Sequence, residues 1–222
     1  MKILIVLILT ILLITHSGCT GDSAVEDSFD ILNSNVTIWR DRTGEHYIIL
    51  AFEVSNISNS PLHFKRSDFD IIDEYGRVIH TMRSVNAYPP IVIPGSTAVY
   101  YDVIRSDIIA ETNVNLEVIP HIEAERSTFR EIQLGIVAAG GGGNTYYVGT
   151  LENFSFHRTY YDVNVVVISR TQSNEIITVK TTVITSIEPR QQVEFKAEDV
   201  LIQRLLGRIT ITQNQFFIYV DP

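Results

Sequence analysis

Cysteine is nearly absent from this chain of 222 residues, which contains a single thiol, Cys19. One cysteine cannot form an intramolecular disulfide, so the chain does not belong to the disulfide-stapled class of small exported domains. Its stability must come from an apolar core and from backbone hydrogen bonds. Hydrophobic residues make up 45% of the sequence, which is enough to build such a core.

A hydrophobic run long enough to cross a membrane is also lacking. The apolar run from Ile3 to Ile14, interrupted only by Thr10, has twelve residues. A helix of that length spans about 18 Å, against roughly 30 Å for the hydrocarbon core of a bilayer. With Lys2 in front of it, the run is typical of a secretory signal, and the sequence predicts a signal peptide over residues 1–18. An uncleaved anchor that includes residues 15–19 and ordinary secretion remain as alternatives.

The residues before Cys19 resemble a lipobox, the segment at which envelope lipoproteins are cleaved and acylated. Ser17 and Gly18 are small, as a signal peptidase requires, and His16 stands where an aliphatic residue is usual. The resemblance implies a lipid on Cys19, which joins the chain to a membrane, followed by a tether over residues 19–30. The expected location is the cell envelope, on the outer face of the cytoplasmic membrane or on a membrane that faces the periplasm.

Basic clusters are lacking as well. The formal net charge is −9, and residues 20–139 carry 18 acidic against 9 basic side chains, whereas residues 140–222 carry 8 against 7. A nucleic-acid-binding surface needs a patch of Lys and Arg that displaces counterions from phosphates. The sequence therefore predicts no nucleic-acid partner.

Motifs of enzymes and metal sites are missing too. The sequence has neither the H-E-x-x-H pattern of zinc proteases nor the G-x-S-x-G turn of serine hydrolases, so we expect no catalytic residue, metal or cofactor. The acidic turn at Asp68, Asp70, Asp73 and Glu74 lacks the spacing of an EF-hand and is interpreted as structural rather than as a Ca²⁺ site. His121, Glu123 and Glu125 are interpreted as a charged strand face. The six histidines are scattered, at positions 16, 46, 63, 80, 121 and 157.

What the chain does contain is short β-rich segments separated by turn residues. Runs with β-branched and aromatic residues at alternate positions predict strands. Such runs cover residues 47–54, 69–72, 78–81, 97–103, 146–151, 163–169, 176–184, 192–195 and 216–220. Only two short helices are expected, at 106–110 and 199–205. The pattern predicts an all-β protein made of sandwiches.

Four consecutive glycines, Gly140–Gly143, interrupt the β-rich pattern. This composition is typical of a flexible joint between folded units. A phosphate-binding loop would need a following helix, and a β-rich segment follows instead. We therefore predict a first domain over residues 31–136, a linker over 137–145 and a second domain over 146–222.

The two predicted domains resemble each other. Asn56 is followed by Gly76 after 20 residues and by a Pro-containing turn after 38, and Asn153 is followed by Asn174 after 21 residues and by Pro189 after 36. Asn and Gly satisfy turn amides or supply a positive φ, and Pro restricts φ before the next strand. The spacing predicts one fold used twice.

The segment Phe69–Ile79, with Phe, an aliphatic pair and Asp before a turn glycine, resembles the FxLYD family and its relatives. Residues 148–153, Val163, Val165, Val167 and the turn at Pro189 resemble the same group, although Asp is missing near Ser169 and Arg190 replaces the usual Gly. The resemblance implies two tandem immunoglobulin-like β-sandwich domains of the kind found in prokaryotic envelope lipoproteins. It implies no catalytic residues.

Tyrosine pairs are the candidate contact residues. In a strand, neighbouring side chains point to opposite faces, so each pair is expected to direct one ring outward, where tyrosine is favoured at protein interfaces. Ordinary β-propensity is the alternative explanation. The pairs are Tyr100 and Tyr101, Tyr146 and Tyr147, and Tyr160 and Tyr161. Glycosylation sequons occur at Asn35, Asn56 and Asn153.

These features predict a non-catalytic, lipid-anchored binding or adaptor protein with an envelope protein as its partner. Two alternatives remain open. The chain is a solute-binding or cell-wall-associated accessory protein if polar residues of both domains meet in a cleft. It is a structural subunit of a surface assembly if its soluble form self-associates.

Overall fold

The computed structural model describes residues 28–40, 44–106, 116–128, 131–141, 146–198 and 211–220. The predicted signal peptide, Cys19 and most of the tether lie outside these ranges, and so do both predicted helices apart from Ser106. Every long element in the described ranges is a β-strand, as the sequence predicts. No helix among these residues is long and apolar enough to cross a membrane.

The described residues of the first half, between 28 and 128, form ten strands. They are β1 (Phe29–Arg40), β2 (His46–Asn56), β3 (Leu62–Phe64), β4 (Ser67–Ile72), β5 (Val78–Val85), β6 (Ala87–Tyr88), β7 (Ile91–Val92), β8 (Thr97–Arg105), β9 (Glu117–His121) and β10 (Ala124–Arg126). They form three antiparallel sheets with the orders β1-β2-β8-β6, β5-β4-β9 and β10-β3-β7.

In the second half, the part of residues 131–220 that the structure describes forms six strands. They are β11 (Leu134–Gly141), β12 (Tyr146–Asn153), β13 (Tyr160–Arg170), β14 (Ile176–Ile187), β15 (Gln192–Glu198) and β16 (Gln213–Val220). Their two antiparallel sheets have the orders β11-β12-β15 and β14-β13-β16. These orders repeat β1-β2-β8 and β5-β4-β9 of the first half, so the two main sheets have the same strand order in both halves; β6 and the sheet β10-β3-β7 have no counterpart among the described residues of the second half.

Two asparagines hold equivalent positions in the halves. Asn56 ends β2 and Asn153 ends β12, and both are fully buried. The Asn56 side-chain amide donates to the carbonyls of Ser60 and Val92, while its oxygen accepts the amide of Ser58. Asn153 donates to the carbonyls of Arg158, Ile187 and Glu188 and accepts the amide of Ser155. The same side chain therefore joins the same two loops in each half.

The turns repeat as well. Gly76 and Asn174, the two turn residues predicted from the spacing, have φ of 74° and 68°. Gly95 and Arg190 occupy the other equivalent turn, with φ of 76° and 63°. Their backbone amides donate to the carbonyls of Asn56 and Asn153 respectively. The repeat that the spacing predicts is therefore present in the backbone.

The predicted glycine linker is partly a strand. Residues 137–141 belong to β11, where Gly140 and Gly141 pair with Val148 and Tyr147 of β12. At Gly141 a Cβ would lie 2.9 Å from the ring of Tyr147, so this glycine permits a close approach rather than marking a joint. Residues 142–145 lie outside the described ranges.

Each half has an apolar core between its two main sheets, and a third cluster joins the halves. Phe52, Phe69 and Tyr100 are central to the first core. Leu151, Val165 and Phe195 belong to the second. The third cluster lies between the outer faces of β1-β2-β8-β6 and β14-β13-β16. Its buried members are Tyr47, Ile49, Ala51, Val99, Tyr101, Val166, Ile168, Ile176, Ile177 and Val179.

A candidate binding cleft at the junction of the halves

The junction of the halves is the third apolar cluster described above. Two of the strands that form it, β2 and β13, are buried on both faces. In β2, residues 47–54 are all buried, and in β13 residues 165–170 are all buried. Alternate residues of β2 therefore face different partners: Ile48, Leu50 and Phe52 face the core of the first half, and Tyr47, Ile49 and Ala51 face the second half. The hydroxyl of Tyr101 donates to the carbonyl of Ile177 across the junction, at 3.4 Å.

A buried ion pair lies at one end of this junction. The guanidinium of Arg170 donates to both carboxylate oxygens of Glu53, from Nη2 at 2.6 Å and from Nη1 at 3.1 Å, and Nη1 also donates to the carbonyl of Asn174 at 3.3 Å. Each of the two charged residues is only 6% exposed. A bidentate pair of this kind restricts orientation as well as distance. Glu53 and Arg170 thus fix how the halves meet.

The ion pair opens onto a cleft of about 520 Å³. Both halves contribute to its wall, and five of the nine lining residues carry side-chain amides. Amides donate and accept hydrogen bonds without a net charge, which suits a neutral polar ligand. The lining residues are Leu32, Asn33, Glu53, Thr97, Arg170, Asn174, Gln213, Asn214 and Gln215.

The residues of the acidic turn make contacts within the first half. The charged face predicted for one strand is wrong, because His121 ends β9, Glu123 lies between two strands and Glu125 belongs to β10. Asp73 accepts hydrogen bonds from the amides of Tyr75 and Arg77 and pairs with the Arg77 guanidinium, which lowers its pKa. On the outer face of β5-β4-β9, a hydrogen bond from the Thr81 hydroxyl and a second contact with His121 lower the pKa of Asp70. No group of three or more metal-ligating side chains occurs among the residues that the structure describes.

The six candidate tyrosines are mostly buried. Tyr100, Tyr101, Tyr147 and Tyr160 are each at most 8% exposed, Tyr146 is half-buried, and Tyr161 is 62% exposed. Tyr101 does point outward from its own sheet, but the second half covers it. Tyr161 is therefore the candidate tyrosine that presents a largely exposed ring.

Two of the three sequons are structural. The Asn56 and Asn153 side chains are fully buried and their amide nitrogens donate two and three hydrogen bonds, so neither nitrogen is available to a glycan in the folded chain. In both cases the Asn-x-Ser pattern arises because the asparagine oxygen accepts the serine amide. Asn35 is half-buried in β1.

Sequence reasoning missed the junction and its ion pair. The available signal was the uninterrupted hydrophobic character of Ile48–Phe52 and Val165–Ile168, because a strand with one solvated face alternates instead. A charged residue follows each run, at Glu53 and at Arg170 after Ser169. Neither run shows by itself that its charge pairs with the other.

Comparison with known proteins adds no assignment. No protein-family model matches the chain, and a search of curated proteins finds no significant relative. The interpretation of this protein therefore depends on its own geometry.

Proposed function

We propose that the chain is a lipid-anchored, non-catalytic binding or adaptor protein of a prokaryotic cell envelope, built from two immunoglobulin-like sandwiches. In each half, two main antiparallel sheets enclose an apolar core, in keeping with that class of sandwich. The single observation that carries the proposal is the junction. There the buried ion pair of Glu53 and Arg170 and the apolar cluster beside it join the two halves into one body.

The position of the first strand fits an anchored body. The carbonyl of Ser28 accepts the amides of Ile57 and Ser58, so the chain joins the first half beside the loop after β2. Eight residues separate Cys19 from Ser28, and the nine Cα-to-Cα steps between the two span at most about 30 Å when extended. A lipid on Cys19 would keep that end of the body near the membrane surface.

The anchor is tested by measuring the mass of the mature N-terminus in full-length protein purified from envelopes. We expect an acylated Cys19 as the first residue, with loss of membrane association in Cys19→Ser. Cross-linking in native envelopes then tests the adaptor role, and the expected result is the same protein partner in repeated preparations. An intact Met1, or a hydrolytic activity of the purified chain, would contradict the proposal.

The cleft favours a second candidate function, the binding of a neutral polar solute. A cleft lined by both halves is what a solute-binding protein requires, and five side-chain amides can bind hydroxyl-rich molecules. A panel of monosaccharides and amino acids, read by the thermal unfolding of the full chain, provides the test. A saturable shift that disappears in Gln215→Ala but persists in Gln192→Ala, on β15, would support this function. No shift with any compound would reject it for those classes.

A further inference from the structure

Two neighbouring loops of the second half present aromatic and basic side chains to solvent. They are residues 154–159, after β12, and residues 188–191, before β15, and are called the loop pair below. Phe154 is 43% exposed and Phe156 is 69% exposed, while His157, Arg158 and Arg190 are also exposed. The Arg190 guanidinium lies over the Phe156 ring, 3.5 Å from its centroid.

The first half provides an internal comparison for these loops. The same asparagine network holds the equivalent loops there, but their residues are Ile57-Ser58-Asn59-Ser60-Pro61 and a turn with Gly95. Neither the aromatic rings nor the arginines are therefore needed to build this pair of loops. Their presence in the second half calls for a different reason.

Arg190 is the clearest example. Its φ of 63° lies in the left-handed region, where a side chain carries strain that glycine avoids, and Gly95 occupies the equivalent position in the first half. Such strain in a surface turn points to a use for the side chain. Stacked on Phe156, the guanidinium keeps its edge free for a carboxylate.

The Phe154 ring is also held in place. It lies against Gly135 of β11, where a Cβ would come within 2.8 Å of the ring. The two exposed rings thus lie two residues apart in one loop, and the arginine of the other loop stacks on the second ring. Aromatic residues and arginine are the types that dominate binding energy at protein interfaces.

We propose that the loop pair is the docking site for an acidic segment of another protein that also carries an apolar side chain. This deepens the proposed adaptor function and rests on it. The loop pair carries two arginines against one glutamate, Glu188, whose carboxylate accepts the Thr159 hydroxyl. The rest of the chain is acidic, so an acidic partner is attracted to this place and repelled by most of the surface.

The position of the loop pair agrees with such a role. Arg170, at the far end of β13, contacts Glu53 near the end of the first half at which the chain begins. The eleven residues of β13 extend about 33 Å, so the loop pair is at least that distance along the strand from the ion pair. The patch would therefore be separated from the anchored end.

The test uses the mature chain from residue 19, with Cys19→Ser so that no acyl chain interferes, and a phage-displayed library of short random peptides. The matched variants are Phe156→Asn and Arg190→Gly, which introduce the residues of the first half and should fold with unchanged cooperativity. Asn59→Ala, in the equivalent loop of the first half, is the control. Selected peptides are then synthesised and titrated by fluorescence anisotropy.

We expect the selected peptides to be enriched in Asp and Glu beside an apolar residue. Their affinity should fall about thirtyfold in Phe156→Asn, as for an interface hot spot, and should weaken with added salt. Asn59→Ala should leave the affinity unchanged. Three results would overturn the proposal. They are selected peptides without an excess of acidic residues, the same peptide affinity for Phe156→Asn as for the unsubstituted protein, and a library from which no peptide is selected.

Two further measurements distinguish other occupants. Binding of the same chain to vesicles of anionic lipid that is lost in Phe156→Asn would assign the patch to a membrane. Self-association in sedimentation experiments that is lost in the same variant would assign it to a second copy of the chain. Either result would reject the acidic peptide as the occupant of the loop pair. Neither would contradict a lipid on Cys19.

Discussion

Asn56 stabilises the loops of the first half through all of its side-chain hydrogen-bonding groups. Replacing it with alanine leaves the buried carbonyl of Val92 without its Asn56 donor, whereas the amide of Ser58 keeps its bond to the carbonyl of Ser28. A buried group left unsatisfied costs about 1–3 kcal/mol, so Asn56→Ala should lower the free energy of unfolding by about that amount. Urea denaturation measures this change.

Asn35→Ala is the control for that substitution. Asn35 is also a sequon asparagine, but it is half-buried, and its side-chain oxygen accepts the hydroxyl of Thr37, a neighbour on the same strand. Its loss should cost below about 1 kcal/mol. Equal losses in the two variants would contradict the structural role assigned to Asn56.

Tyr100 couples stability to pH. Burial raises the pKa of Tyr100 to about 12, and its hydroxyl donates to the carbonyl of Lys65 and accepts from the Ser67 hydroxyl. Because the folded state holds the proton more tightly than the unfolded state, this contribution is present below about pH 10, the ordinary value for tyrosine, and is lost as the pH rises toward 12. Alkaline conditions should therefore destabilise the fold.

The measurement compares urea denaturation of the wild type and Tyr100→Phe at pH 8 and near pH 11.5. The wild type should lose more free energy of unfolding over that interval, by about 2 kcal/mol. Tyr88 also has a raised pKa because of burial, so part of the alkaline loss should remain in the variant. An identical loss in both proteins would show that Tyr100 does not titrate as expected.

At the scale of the element, β12 depends on Gly149. The sequence alone does not show that this position requires a glycine more than Gly140 does. A Cβ at Gly149 would lie 2.6 Å from the carbonyl oxygen of Ala138 and 2.5 Å from the ring of Phe195. The carbonyl belongs to a paired strand and cannot move freely. Gly149→Ala should therefore destabilise the protein by about 1–3 kcal/mol, as measured by urea denaturation.

Gly140→Ala provides the matched control because nothing lies within 4 Å of its added Cβ. Its effect should stay within about 0.5 kcal/mol. A larger loss in the free energy of unfolding for Gly140→Ala than for Gly149→Ala would mean that β11 and β12 do not pair in the register described.

For the whole molecule, the Glu53–Arg170 pair should control how the halves stay together. Glu53→Ala leaves the buried guanidinium without its carboxylate, and breaking a buried pair costs about 3–5 kcal/mol. Double replacement by leucine removes both charges and should cost much less. The free energies of unfolding of the wild type, Glu53→Leu, Arg170→Leu and the variant with both leucines form a thermodynamic cycle that measures the coupling.

Arg105→Ala is a suitable control for that cycle, since its ion pair with Glu45 is largely exposed. Exposed pairs contribute about 0–1 kcal/mol. Additive losses in the Glu53 and Arg170 variants would show that the pair does not couple the halves.

The sequence predicts those features of this protein that depend on residues close to one another along the chain. Strand identity, the turns at Gly76 and Asn174 and the repeat of two similar units were predictable, because side-chain alternation and positive φ act within a few residues. The strands are confirmed, and the backbone repeat appears in the two asparagine networks. The signal segment and Cys19 were read from the sequence and stay predictions.

Only the tertiary structure decided which faces are covered. Alternation in Tyr100-Tyr101 predicts opposite directions for the rings, but a second sheet 76 residues later in the chain covers Tyr101. In the same way, Gly141 belongs to a strand because Tyr147 packs against it, and Glu53 is buried because Arg170 reaches it. Local sequence determines the form of each strand, whereas burial depends on contacts between distant segments that no local pattern encodes.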